Sequence, residues 1–334
     1  MNTKSTDLDR VRRFWNGEGR CFANLTTGKC RPRQDTSNEA RVGLCREALA
    51  AQAQLPGPSL PAVFPDYGTV SMPRYWGGAV RVAEDSGLTF IEPAAQTIEE
   101  ALALKPLPAD DPGMDAAKAL WLYQQVGCEW LRTPDMQGTL STAGLVMNQE
   151  ELFMAMVSQP ELVHAFLARV CGHLIEVWRY LRREANVIGS IWPYTFVPAD
   201  CGVVLTEDMM PLLSAELYRE FGIPQLRRIQ AALGGLHIHC CGRYGHHVAN
   251  LKASGLRIRS LEFHYPYTTP EDLEPLADTT VFIPYIALDK QTRFKSVLEY
   301  YRYLLVETPA KYRYWITGLD ESPDAIALLR EIVG

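Results

Sequence analysis

The sequence predicts an α/β protein, specifically a (β/α)8 TIM barrel with an N-terminal extension. Three observations lead there. From about residue 115, short apolar runs alternate with amphipathic helical stretches, the rhythm of buried parallel strands covered by helices. Chemistry-bearing residues follow the ends of those runs: Asp66, Asp135, the loop after Trp192, His239 to Cys241, and Glu262. A barrel builds its site from such loops, at the carboxyl ends of different strands. No Gly-x-Gly-x-x-Gly follows any of the runs, which argues against a dinucleotide-binding sheet. The expected division is residues 1–58 as an extension packed on the barrel and residues 59–334 as the barrel.

Within the extension, Asp7 to Trp15 and Asn38 to Ala53 are predicted helices, with Gly28 to Asp35 a loop between them. Leu60 to Phe64 is a strand closed by the turn Pro65-Asp66-Tyr67-Gly68. Phe90 to Pro93 is a further short strand, and Thr97 caps a helix to Leu104. Asp115 to Gly127 is a helix, and Glu129 to Thr133 a strand running into a polar loop from Pro134 to Gly138. Gln149 to Met156 is a helix. The next begins near Ser158 and Pro160, with an apolar stripe at Leu162, Phe166, Val170, Leu174, Val177 and Leu181. Val187 to Trp192 is a strand, followed by a long polar and aromatic loop through Asp200, Cys201, Glu207 and Asp208. Ser214 caps a helix interrupted at Pro224. Then follow a strand from Leu236 to Cys241, a helix at His247 to Ala253 and a strand from Ile258 to Phe263. Pro270 to Leu276 and Phe294 to Glu307 are helices around a strand at Thr280 to Ile286. A last strand, Tyr312 to Ile316, precedes a last helix, Ser322 to Val333.

Composition narrows the function. A net charge of −6 argues against a nucleic-acid partner, which requires a basic face. No run of about eighteen apolar residues exists to span a membrane, and the first residues lack the apolar core of a secretory signal. Eight cysteines scattered from Cys21 to Cys241 do not form a secreted disulfide framework, so a reducing, cytoplasmic setting is expected.

Leu236 to His247 holds two of the eight cysteines and four of the seven histidines in twelve residues. Borderline and soft ligands at that density point to a metal or thiol site. Side chains two apart on a strand share a face. His239 and Cys241 are therefore expected to point together, and Cys240 away from them. Glu262, at the end of the next strand, reaches the same place, and His264 lies one step further out on Glu262's face. His246 and His247 are expected to be surface or supporting residues, and His237 a deeper one. Asp66 and Asp135 suit either turn capping or substrate binding. Glu207 and Asp208 suit acid–base work or binding of an amine, while Trp192 and Tyr194 are expected to line the pocket or the core.

The combination resembles the uroporphyrinogen decarboxylase superfamily, and within it the zinc-dependent methylcobamide:thiol methyltransferases; cobalamin-independent methionine synthase is a more distant relative. The marks are Phe64-Pro65-Asp66, Trp76-Gly77-Gly78, Asp135 to Leu140 before Gln149 to Pro160, Glu207-Asp208, the stretch from Ser214 to Pro224, His239-Cys240-Cys241-Gly242, and Gly318-Leu319. The Ser214–Pro224 stretch and His-x-Cys-Gly are the most specific of them. The resemblance covers the chain from about residue 60 to its end. It implies a zinc ion held by His239 and Cys241, with Glu262 approaching it, and a methyl group passed from a methylated corrinoid to a thiol or related acceptor. A corrinoid protein is then a partner, and the chain acts as a monomer or homodimer.

The sequence departs from that pattern where the methyltransferases carry a third zinc ligand, a cysteine near the C-terminus. No cysteine follows Cys241, and Thr317 stands at the expected place. A His-Cys-Glu site, with Cys240, Cys201 or His264 as a fourth group, is one outcome; a metal-free site is another. The decarboxylase reading, a cofactor-independent lyase anchored by Asp66, lacks the family's Arg-Gln-Ala-Gly-Arg-Tyr motif and its late histidine. A non-catalytic corrinoid- or tetrapyrrole-binding protein is the third alternative. The expected working set is Glu262 and Asp66 as catalytic groups; Asp135, Trp192, Tyr194, Glu207, Asp208 and His264 on the substrate; and His239, Cys241 and Glu262 on the metal.

Overall fold

The computed structural model describes residues 3–26, 36–86, 88–190, 195–290 and 292–333. Its strands, in chain order, are β1 (Cys21–Leu25), β2 (Ala62–Val63), β3 (Ala79–Val82), β4 (Thr89–Glu92), β5 (Trp130–Arg132) and β6 (Val187–Gly189). They continue with β7 (Val197–Pro198), β8 (Val203–Thr206), β9 (Leu236–His239), β10 (Ile258–Tyr265), β11 (Val281–Ile286) and β12 (Arg313–Leu319). Six strands run in the order β1-β12-β11-β10-β9-β8, each pair parallel. A second sheet has the order β2-β5-β6-β7, parallel except for its last pair. Among the described residues a parallel bridge, Gln137 to Thr206, joins the two. The chain is thus an α/β protein built on a central parallel sheet. Among the described residues no helix is long and apolar enough to cross a membrane.

The longest helix, Pro160–Glu184, shows why the helical layer forms. Phe166, Val170, Leu174, Val177 and Leu181 recur three and four apart and are buried, whereas Leu162 at the edge of the stripe is only partly so. Each such side chain contributes roughly 1.5–3 kcal/mol on leaving water. Other elements differ from expectation. The strand expected at Phe90 to Pro93 belongs to an antiparallel hairpin of β3 and β4, outside the parallel sheets. Residues 139–146, unassigned in the sequence reading, form a helix directly after the β5 loop. The helix capped by Ser214 does not stop at Pro224. It passes through a wide turn at Tyr218–Gly222 and continues as Ile223–Leu233, with Pro224 directly after that wide turn.

Four strands, β1, β3, β7 and β8, were not foreseen, and two of them bear on the parallel sheet that carries the site. β8 lies inside the stretch expected as loop, because its four residues are too few to show a period between Gly202 and Glu207. β1 lies inside the segment expected as an extension, yet pairs in parallel with β12. Its Asn24 hides the strand in the sequence; in the fold Asn24 is fully buried and accepts a 2.7 Å hydrogen bond from the Trp315 indole. Trp15, at the end of the helix Thr3–Trp15, stacks on Trp315 with ring centres 4.8 Å apart and donates to the Phe196 carbonyl. This aromatic plug fills the amino-terminal end of the sheet. The carboxyl-terminal end is left for chemistry.

Candidate metal centre

Strand register builds a polar row at the carboxyl end. Thr206 of β8 pairs with His239 of β9, and His237 pairs with Ser260 of β10. Glu262 and His264 follow Ser260 on the same face of β10 because side chains alternate along a strand. On the other side, the Thr206 hydroxyl donates to Asp135 Oδ1 at 2.6 Å, tying the loop after β5 into the row. Asp208 hangs from the turn after β8, where the Glu207 N–H donates to the His239 carbonyl.

His239 stands at the centre, with a carboxylate on each side of its ring. Nδ1 is 2.9 Å from Glu262 Oε2, and Nε2 is 3.5 Å from Asp208 Oδ1. Cys241 Sγ lies 3.3 Å from that same Asp208 oxygen, and the Cys241 N–H donates to it. His264 Nε2 is 3.0 Å from the other oxygen of Glu262. Two groups could therefore hold a cation: Asp208, His239 and Cys241, and His239, Glu262 and His264, each with ligand atoms within 4.8 Å of one another. Their spacings differ in kind. A tetrahedral zinc with bonds of about 2.0–2.3 Å sets its ligand atoms about 3.3–3.7 Å apart. The 3.5 and 3.3 Å separations to Asp208 match that edge. The 2.9 and 3.0 Å contacts of Glu262 are hydrogen-bond and ion-pair distances instead.

Charge reinforces the second group. Burial opposes charge on both His239 and Glu262, but their mutual attraction prevails. The Glu262 carboxylate, with Cys241 and Asp208, holds His239 well above the ordinary imidazole value. His239 and His264 hold the fully buried Glu262 below the usual carboxylate range. Yet His239 Nδ1 and Glu262 Oε2 are buried and, although close, not aligned for a hydrogen bond. Two further acids complete the surroundings. Burial pushes Asp135 up to about 6 against the opposing pull of Thr206 and His239. Burial and the neighbouring Asp208 push Glu207 up to about 8. Glu207 occupies space that only Gly138 leaves open, since a Cβ there would sit 1.9 Å from its Oε1.

The remaining expected residues fall in different places. Asp66 is buried at a positive φ of 27°, its Oδ1 accepting from the Gly68 N–H and its backbone carbonyl from Arg41, and it joins neither ligand group. Trp192 and Tyr194 lie outside the described residues. β9 ends at His239, so Cys241 is presented by the exposed turn beyond the strand rather than by strand alternation, while Cys240 is fully buried. Gly242 permits that turn to pass Pro211, whose Cγ would be 2.4 Å from an added Cβ. His237 is a core residue, held by Ser260 Oγ at 2.8 Å and the Cys201 carbonyl at 3.2 Å. His246 and His247 bind the carbonyls of Leu213 and Met210; His247 is buried, not superficial. Thr317 is buried on β12, its carbonyl 2.9 Å from the Tyr301 hydroxyl. Sequence reasoning missed Thr206, which links Asp135 to the row, and Tyr285, whose ring lies 4.5 Å from that of His264. Tyr285 stands beside His264 in the β10–β11 register, a relation that only the register reveals.

No family model and no curated protein sequence matches the chain. Solved structures do. A methyltransferase from Methanosarcina mazei superposes with a TM-score of 0.68 over 98% of this chain and 98% of its own, at 13% sequence identity. The chain shares that protein's fold from end to end.

Proposed function

We propose that the protein is a methyltransferase of one-carbon metabolism whose reaction takes place at a zinc ion held by Asp208, His239 and Cys241. The observation that carries this reading is Asp208 Oδ1 at 3.5 Å from His239 Nε2 and 3.3 Å from Cys241 Sγ, all three within 4.8 Å of one another, beside a histidine whose far nitrogen faces a buried carboxylate. Metal-binding imidazoles are commonly oriented by such a carboxylate. Asp208 thus takes the place of the cysteine absent at Thr317, and Glu262 fixes His239 and His264 instead of sharing the metal. When bound, zinc lowers the pKa of a coordinated thiol, so that a thiolate is available at neutral pH.

The donor in this reading is a methylated corrinoid delivered by a partner protein, and the acceptor a thiol. Likeness to a methyltransferase in fold supports it, as do the residues shared with the corrinoid-dependent family. A closed barrel belongs to the same reading. The chain order of the strands suits closure, and the Thr206 N–H and carbonyl bond Met136 and Gly138 across the junction of the two sheets. A porphyrinogen carrying many carboxylates fits poorly beside Asp135, Glu207, Asp208 and Glu262. Metal analysis of protein purified without chelator tests the proposal. Near-stoichiometric zinc that is lost in Cys241→Ser is expected. Absence of bound metal and of any affinity for added zinc would sink it.

A further inference from the structure

At the opposite end of the sheet, a cavity of about 630 Å³ opens beneath the amino ends of β10, β11 and β12. Its charged lining is Lys252, Arg257, Arg259 and Arg313 against a single acid, Asp278, which gives 4 − 1 = +3 in a chain of net charge −6. Among the described residues no carboxylate lies within ion-pair distance of any of the three arginines, and the Arg257 side chain makes no hydrogen bond.

A structural role accounts for part of this. Arg259 Nη2 donates to the Trp15 carbonyl and Asn16 Oδ1. Arg313 donates through Nε and Nη2 to the carbonyls of Phe14, Glu18 and Gly19. Both cap the exposed carbonyls where the first helix ends, as cations do there. That leaves the Nη1 group of each guanidinium, and the side chain of Arg257, without a hydrogen-bond partner among the described residues. Burial and the positive neighbour Arg257 lower Arg259, and burial and Arg259 lower Arg313. Asp200 offsets part of this at Arg259, but like charges gathered with fewer acids than cations cost free energy.

We infer that this cavity binds a small multivalent oxyanion of the phosphate or polycarboxylate kind. Guanidinium forks suit oxyanions, which they grip with paired N–H bonds. The volume falls within the roughly 300–1,000 Å³ of small-molecule sites. The site is separate from the metal centre: Arg259 and His264 lie at opposite ends of β10, five residues or roughly 16 Å apart along the strand. It does not depend on the methyltransferase reading.

Calorimetric titration of the full chain with inorganic phosphate, pyrophosphate and citrate at low salt tests the inference. Saturable binding of at least one anion is expected, weakened about tenfold or more by Arg257→Glu and kept in Cys241→Ser. Arg257 is exposed and its side chain holds no contact that folding needs. Arg302→Glu, the same charge change on an exposed residue elsewhere, should leave binding intact. Preference for the phosphates or for citrate identifies the ligand class. No saturable binding of any of the three up to about 10 mM, or equal losses in the Arg257 and Arg302 variants, would overturn it.

Discussion

His237 and His239 stand two residues apart on one face of β9, and their environments are opposite. His237 has both ring nitrogens engaged, sits edge-on to Trp15 with ring centres 4.6 Å apart, and burial lowers it to about 3. It is neutral, satisfied and part of the base. His239 is flanked by two carboxylates and a thiol, is held above its ordinary value, and keeps a buried nitrogen without an aligned partner. Identical residues on one strand thus stand in packing at one level and, in the proposed function, in a metal site at the next. What separates them is the neighbouring strand, Ser260 opposite the first and Glu262 beside the second. The neighbours of a histidine, not its place on the strand, decide which of these it suits.

The contrast can be broken most severely at the ligands. Asp208→Asn or His239→Ala should weaken zinc binding at least about a hundredfold in a competitive chelator titration. His237→Gln should change it by less than about threefold. Equal losses at both histidines would erase the distinction. Glu262→Gln, which keeps the shape but not the charge, should cost about 10–100-fold in zinc affinity, as loss of an orienting carboxylate does. A loss as large as that of Asp208→Asn would make Glu262 a ligand.

Smaller effects concern stability. Gly138→Ala drives a methyl group into Glu207 and should cost about 1–3 kcal/mol in denaturant unfolding. His237 adds a pH dependence of defined sign. Unfolded histidine takes up a proton below about 6.5, whereas folded His237 stays neutral down to about 3. In that window the unfolded state binds more protons, so stability falls as pH falls, by up to about 1.4 kcal/mol per pH unit. His237→Phe should flatten the slope between pH 6 and 4 by about one proton, whatever its effect at neutral pH. An unchanged slope would show that the imidazole is charged in the fold.

The sequence carries the helices well because their apolar stripes are long enough to show a period, as in Phe166 to Leu181. It carries the short strands poorly. β8 and β1 are four and five residues long, and β1 is interrupted by an asparagine whose burial makes sense only beside Trp315. In the candidate site, His239, Cys241 and Glu262 are legible from ligand chemistry and the spacing of neighbouring strands. Asp208 is legible as a pocket acid but not as a partner of Cys241, because that contact depends on the turn after an unrecognised strand. The basic cavity is only partly legible: Lys252, Arg257 and Arg259 lie within eight residues of sequence, but the fold alone brings Arg313 of β12 to them.

X-ray absorption at the zinc edge of the loaded protein tests the central claim most directly. The account predicts four-coordinate zinc with one sulfur at about 2.3 Å and the remaining ligands nitrogen or oxygen at about 2.0–2.2 Å, the sulfur vanishing in Cys241→Ser. A metal with no sulfur neighbour in the unaltered protein, or with sulfur retained after Cys241→Ser, would contradict it.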